Sequence, residues 1–309
     1  MTRQLFFTAA LAGLLFGGLL TAQPPQGSQP DFIRQGNQLV REGKPAEALA
    51  LYAAILKAMP DSAPANNAAG VLLDQLGRGD EARAHFQKAI DSASTPQSKA
   101  AAERAMAMSW AFSGNCSKTV EYEQRVLSYY VATKDFYQQG EIADEAARVC
   151  LDAGSLDVAW QWYLTGHQLG LRQPDITPDR KNLWEFRWEN AQARIAARRG
   201  NQTEADKHVK AAAALLEADP EMAKAQARFL PYLEGYVAYY RGDYETALAR
   251  LSKADSNDPM IQCLLADTHE KLGHKAEAGA LYEKASKALA HNPPAAFAVP
   301  LARRKLSAL

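Results

Sequence analysis

The stretch Phe32–Pro60, FIRQGNQLVREGKPAEALALYAAILKAMP, constrains this chain more than any other. Phe32, Gly36 and Leu39 mark one face of a helix. Gly43 and Pro45 end that helix and begin another, on which Ala48, Tyr52 and Ile55 share a face, and Pro60 closes the unit. A helix pair this short cannot bury both apolar faces alone, so it must stack on a neighbour. Gly36 and Ala48 are small where two helix backbones approach, and Tyr52 fills the gap beside them. Such a unit is expected to recur, and 34 residues later Gly70, Gly77, Ala82 and Phe86 repeat Gly36, Gly43, Ala48 and Tyr52.

This order of small, aromatic and proline places at a 34-residue period resembles the tetratricopeptide repeat. Two places depart from it: Gln35 stands for the usual leucine and Leu39 for the usual tyrosine. The resemblance implies an all-α fold, an α-solenoid of stacked helix hairpins wound into a right-handed superhelix. The first helix of each hairpin would line a concave groove. Turn glycines continue at Gly114, Gly154, Gly200, Gly242 and Gly273, with spacings of 37, 40, 46, 42 and 31 from Gly77 onward. The copies at Gly242 and Gly273 are good, with Tyr244, Ala247 and Ala254 after one and Ala278, Tyr282 and Ala285 after the other. At Gly154, Ala159 and Tyr163 match, whereas Val209 replaces the aromatic after Gly200. The Gly114 copy is poorest, because Thr119 and Glu123 take the small and aromatic places.

The expected organisation is a signal peptide over residues 1–22, a linker over 23–30 and two regular hairpins over 31–96. Irregular hairpins follow over 97–220, two further repeats over 221–290, and a C-terminal cap over 291–309. Within the irregular part, Gly170–Asn182 carries Pro174 and Pro178 and reads as a loop. Trp184 and Trp188 follow it, four apart on one helix face, either plugging the stack at that loop or forming a binding hot spot.

The signal-peptide reading rests on Arg3, the uncharged run Leu5–Leu20, and the polar, proline-rich QPPQGSQP after Ala22. If residues 5–20 are not cleaved, they anchor the chain in the inner membrane. Export places the chain in the periplasm or outside the cell. The 35 basic and 35 acidic side chains cancel, which argues against a nucleic-acid partner. Three cysteines do not make a disulfide framework. Cys116 and Cys150, however, lie 34 residues apart near the turn ends of adjacent hairpins. They form either a disulfide or two separate buried thiols.

No reaction is evident. The segment His269-Glu270-Lys271-Leu272-Gly273-His274 spaces its histidines five apart across a turn glycine, where the zinc motif needs four on one helix. No G-x-S-x-G elbow or phosphate loop occurs. We expect no catalytic residues, no metal and no cofactor. A carboxylate clamp of the kind some family members carry is not matched, since Ile33 stands where its first lysine belongs. The groove candidates are Asn190, Arg194 and Arg198 on one helix and Tyr232, Tyr236 and Tyr240 on the next, each set spaced by four. Guanidinium groups beside phenol rings suit acidic or aromatic peptide segments, although tyrosines at this spacing also serve as packing. The expected function is a non-catalytic scaffold binding a peptide or envelope protein. The alternatives are a membrane-anchored envelope assembly factor and an enzyme or enzyme subunit with its site in residues 97–200.

Overall fold

The computed structural model describes residues 30–308. The signal peptide or anchor and nearly all of the linker lie outside the described residues. Sixteen helices and no strand occur among those described. They pair as hairpins. The first is α1 (Asp31–Arg41) with α2 (Pro45–Ala58), and the second is α3 (Ala63–Gln75) with α4 (Gly79–Asp91). The third is α5 (Pro96–Phe112) with α6 (Cys116–Ala132), and the fourth is α7 (Phe136–Asp152) with α8 (Leu156–Leu171). The fifth is α9 (Pro178–Arg198) with α10 (Gln202–Ala218), to which the short α11 (Pro220–Gln226) is appended. The sixth is α12 (Phe229–Arg241) with α13 (Tyr244–Leu251), and the seventh is α14 (Pro259–Lys271) with α15 (Lys275–Ser286). A last helix, α16 (Pro293–Leu306), follows. No helix among the described residues is long and apolar enough to cross a membrane.

The turn glycines set this arrangement. Gly43, Gly77, Gly114, Gly154, Gly200, Gly242 and Gly273 all have positive φ, between 66° and 85°, each between the two helices of one hairpin. A side chain there would clash with the following carbonyl, so glycine is the residue that stops the first helix at low cost. Four of the seven second helices then start on a side-chain cap or a proline. Asn115, Asn201 and Asp243 each accept from a backbone N–H of the first turn, and Pro45 opens α2.

Counting from each turn glycine shows a repeat more regular than the sequence suggests. The residues five places on, Ala48, Ala82, Thr119, Ala159, Ala205, Ala247 and Ala278, are all 0% exposed. Seven places before the glycine stand Gly36, Gly70, Ala107, Ala147, Ala193, Gly235 and Ala266, all buried. These two small places are where helices of a hairpin cross. At Gly70, a Cβ would lie 2.7 Å from the Phe86 ring, so the aromatic nine places after the turn fills the room that glycine leaves. The third hairpin keeps the register with Glu123 in the aromatic place. Its carboxylate is fully buried, neither oxygen has a partner, and burial, with Glu145 beside it, pushes its pKa well up. The neutral acid is the form that fits.

Residues 97–220 fold into hairpins with longer helices, of 16 to 21 residues, where α1–α4 have 11 to 14. The expected loop from Gly170 to Asn182 shrinks to the six residues between Leu171 and Pro178. Pro178 opens α9, a position where its missing N–H costs nothing. Trp184, at 1% exposure, seats in the α7–α8 crossing, where Gly140, Gly166 and Gly170 bring two backbones together. Cys116 at the start of α6 and Cys150 in α7 are joined, S–S 2.06 Å, tying the third hairpin to the fourth. Cys263 is a free, buried thiol, pushed up to about 12 by burial.

The C-terminal segment does more than cap the seventh hairpin. α16 packs on α14 and α15, and also on α5 and α7. The approach to it is tied to the second hairpin. His291 Nε2 lies 3.0 Å from Asp74 Oδ2, Gln75 donates to the Leu289 carbonyl, and Arg303 donates to the Gln75 carbonyl at 2.5 Å. The stack from α3 to α16 therefore closes on itself, and α1–α2 extend beyond the closure, packing chiefly on each other and on the second hairpin.

Candidate functional site

The interior covered by α16 is made by first helices, α5, α7 and α14, and the expected groove residues lie on two more, α9 and α12. On α9, the four-residue spacing puts Asn190, Arg194 and Arg198 in a row, and on α12 it does the same for Tyr232, Tyr236 and Tyr240. The two helices pack together, so the rows meet. The rings of Tyr232 and Tyr236 stand edge to face at 5.9 Å, and Tyr236 and Tyr240 lie 4.7 Å apart. The Arg198 guanidinium sits 5.1 Å from the Tyr240 ring centre. Arg194 turns toward the fourth hairpin, where its Nη2 donates to Tyr163 Oη at 2.8 Å.

Four of these six residues lie deep. Asn190, Arg194, Tyr232 and Tyr236 are between 5% and 9% exposed, and Arg198 and Tyr240 are half-buried at the edge. The tyrosines also belong to the apolar core with Phe186, Ala193 and Ala197. Packing and lining are therefore done by the same side chains. Arg194, Asn190 and Tyr232 border a cavity of about 70 Å³ together with Arg148, Asp152 and Asp258. Its apolar walls include Phe186, Phe229 and Ile261, and Pro293 and Pro294 of α16 close it.

The electrostatics of this cavity are unusual in two ways. First, Arg194 Nε and Tyr232 Oη are buried and have no hydrogen-bond partner. Leaving such groups unpaired costs about 1–3 kcal/mol each. Second, burial pushes the Asp152 carboxyl up to about 7 against the pull of Arg194 and Arg198, and raises that of Asp258. Near neutral pH Asp152 therefore carries less than full charge while the Arg194 guanidinium stays positive. The interior thus favours an incoming anion. A second, larger cleft of about 370 Å³ runs between α16 and the helices α5 and α7, lined by Phe112, Val149, Phe297 and Pro300. Asp152 and Pro293 border both spaces.

Asp152 and Arg148 lie four apart on one face of α7, and Asp258 is the N-cap of α14. The three converge only through the curvature of the stack, which no spacing in the sequence records. His269 and His274 contact each other at the turn, with Nδ1 atoms 3.3 Å apart. No cluster of three or more potential metal ligands occurs among the described residues.

A stack of helix hairpins with glycine turns, buried small residues at each crossing and a polar concave interior defines an α-solenoid. Residues 33–99 and 232–293 match the family model described as tetratricopeptide repeat. Those two segments are tetratricopeptide repeats by that match, and the chain as a whole has the fold of a tetratricopeptide-repeat-like solenoid. Its fold is similar to that of a tetratricopeptide repeat protein from Parabacteroides merdae, with 13% identity over 90% of this chain and 96% of that one and a TM-score of 0.50. It is also similar to the apo form of RapI, with 9% identity over 90% and 98% of the two chains and a TM-score of 0.57. At such identities the likeness is one of fold. No curated protein matches the sequence.

Proposed function

We propose that this chain is a non-catalytic scaffold that holds a protein partner on its concave face. The contact would include Arg194 and Tyr232 in the interior and Arg198 and Tyr240 at its edge. One observation carries this reading: Arg194 Nε and Tyr232 Oη are buried without partners in the same cavity. A partner's carboxylate placed between them would accept from both, converting two unmet hydrogen bonds into charge-assisted ones. The raised Asp152 carboxyl lowers the repulsion such a group would meet. An acidic side chain or chain terminus is the chemistry that fits.

The partner would be an envelope or secreted protein. The uncharged run Leu5–Leu20 supports export, and a Cys116–Cys150 disulfide suits an oxidising compartment. To test the groove, chemical cross-linking and pull-down from envelope extract are done with the wild-type chain and with Arg194→Gln combined with Tyr232→Phe. Circular dichroism confirms that the variant is folded. The variant is expected to lose partners that the wild type retains. An identical partner set from a folded variant would refute this choice of surface.

A further inference from the structure

The concave groove is already filled, and its occupant shows what it takes. We propose that the surface made by α5, α7 and α14 is a helix-binding site, that α16 is its resident ligand, and that the protein partner enters as a helix of the same type by displacing α16. This rests on the scaffold reading above and names the partner's form, a helix.

Four observations support it. First, α16 is buried on opposite sides. Ala298 and Ala302 pack with Cys263 and Ala266 of α14, while Ala296 packs with Ala107, Met108 and Ala111 of α5 and Val149 of α7. A terminal cap needs to cover only the hairpin before it. Second, most of what its middle buries is small. Ala295, Ala296, Ala298 and Ala302 are at most 3% exposed and each contributes one methyl, with Val299 the one larger aliphatic side chain fully buried beside them. Third, Pro300 lies inside α16 and removes one helical hydrogen bond, so the groove sustains a helix that its own sequence favours weakly. Fourth, α16 underfills its seat. The cleft of about 370 Å³ lies beside Ala296, Phe297 and Pro300, where longer side chains would reach Phe112 and Val149.

These features define the competitor. It keeps small residues where Ala298 and Ala302 meet α14, since no room exists there, and carries larger apolar residues where Ala296 and Pro300 border the cleft. Such a helix gains apolar burial and a helical hydrogen bond over α16. Holding it off is the latch on α3: the contacts of His291 with Asp74, Gln75 with Leu289, and Arg303 with Gln75. Tethering keeps α16 at high effective concentration, so a free helix must exceed it in intrinsic affinity.

The test uses the full chain and two fluorescein-labelled synthetic peptides. One is the native sequence 291–307, and the other carries Ala296→Leu and Pro300→Leu. In the full-length Ala302→Arg variant the new charge cannot be buried against α14, so α16 leaves its seat. We expect this variant to bind both peptides by fluorescence anisotropy, the leucine peptide more tightly. Wild type should bind at least about tenfold more weakly, because its site is free only in the minor open state. A folded variant that binds neither peptide better than a scrambled control overturns the proposal.

Should that variant fail to fold, hydrogen exchange on the wild type decides. Amides of α16 are expected to exchange before those of α5 and α14, and faster still with excess leucine peptide. Exchange of α16 only together with α14, unchanged by peptide, overturns it. A helix seat that fails here while the Arg194 and Tyr232 pull-down succeeds would leave the scaffold reading intact. Loss of the pull-down effect with peptide binding retained would remove that reading and keep the helix seat.

Discussion

The Trp184 seat offers a quantitative test of how the middle of the stack is built. Gly170 lies against the indole. A Cβ added there would stand 2.6 Å from Trp184 Nε1 and closer to the ring carbons. Ordinary carbon contacts begin near 3.5 Å, so the ring or α8 must move by about 1 Å. Overpacking of this kind costs about 1–3 kcal/mol, set against about 1 kcal/mol that alanine regains over glycine in a helix. Trp184→Ala alone should cost about 3–5 kcal/mol, because it empties a fully buried site. In Gly170→Ala with Trp184→Ala, the new methyl enters the vacated space. The double variant should then be more stable than the sum of the singles by about 1–3 kcal/mol. Urea unfolding of the four proteins, followed by circular dichroism, measures this. Gly70→Ala with Trp184→Ala is the control, since Gly70 meets Phe86 in the second hairpin. Additivity within about 0.5 kcal/mol in the Gly170 cycle would refute the packing argument.

Two further outcomes are expected. Reduction of the Cys116–Cys150 bond frees a 34-residue separation, worth about 4 kcal/mol of loop entropy, and should lower the melting temperature by roughly 10 °C. Cys116→Ser with Cys150→Ser should melt at the reduced temperature and ignore reductant, and equal melting with and without reductant in the wild type would count against the bridge. Burial pushes the Asp144 carboxyl up to about 7 from an ordinary value of 3.8, with Arg187 and Arg148 pulling the other way. The folded state thus keeps a proton that the unfolded state releases. The associated destabilisation is absent below about pH 4 and grows to about 4 kcal/mol by pH 7. Denaturant titrations from pH 4 to 7 should show a shallower decline for Asp144→Asn than for the wild type, and parallel profiles would dismiss the assignment.

What was legible in the sequence follows from which constraints are local. Turn glycines can be read because positive φ is a property of a single residue. The crossing alanines at 107, 147, 193 and 266 were harder to see. Alanine is abundant across these helices, and the more conspicuous aromatic place is broken by Glu123 and Val209. Asn190, Arg194, Tyr232 and Tyr236 were identifiable as rows, but a row facing a neighbouring helix and one facing a groove have the same periodicity. Their burial depends on the next helix and on Pro293 and Pro294, far along the chain. The closure of α16 onto α3, α5 and α7 was not legible. It is set by small rotations added hairpin by hairpin, and no single spacing records them.

The contacts of Asp74 and Gln75 with the approach to α16 also change what kind of statistical object the stack is. An open array of repeats behaves as a line of nearest-neighbour couplings that can fray from either end. Joining α3 to the last helix turns most of that line into a loop, in which each hairpin from the second to the seventh has a neighbour on both sides. Opening one hairpin then breaks two interfaces, and the cheapest first break is the polar one at Asp74 and His291. Only α1 and α2 keep the behaviour of a free end. Melting of this chain should therefore separate into an early loss of the first hairpin and a single sharp transition for the remainder.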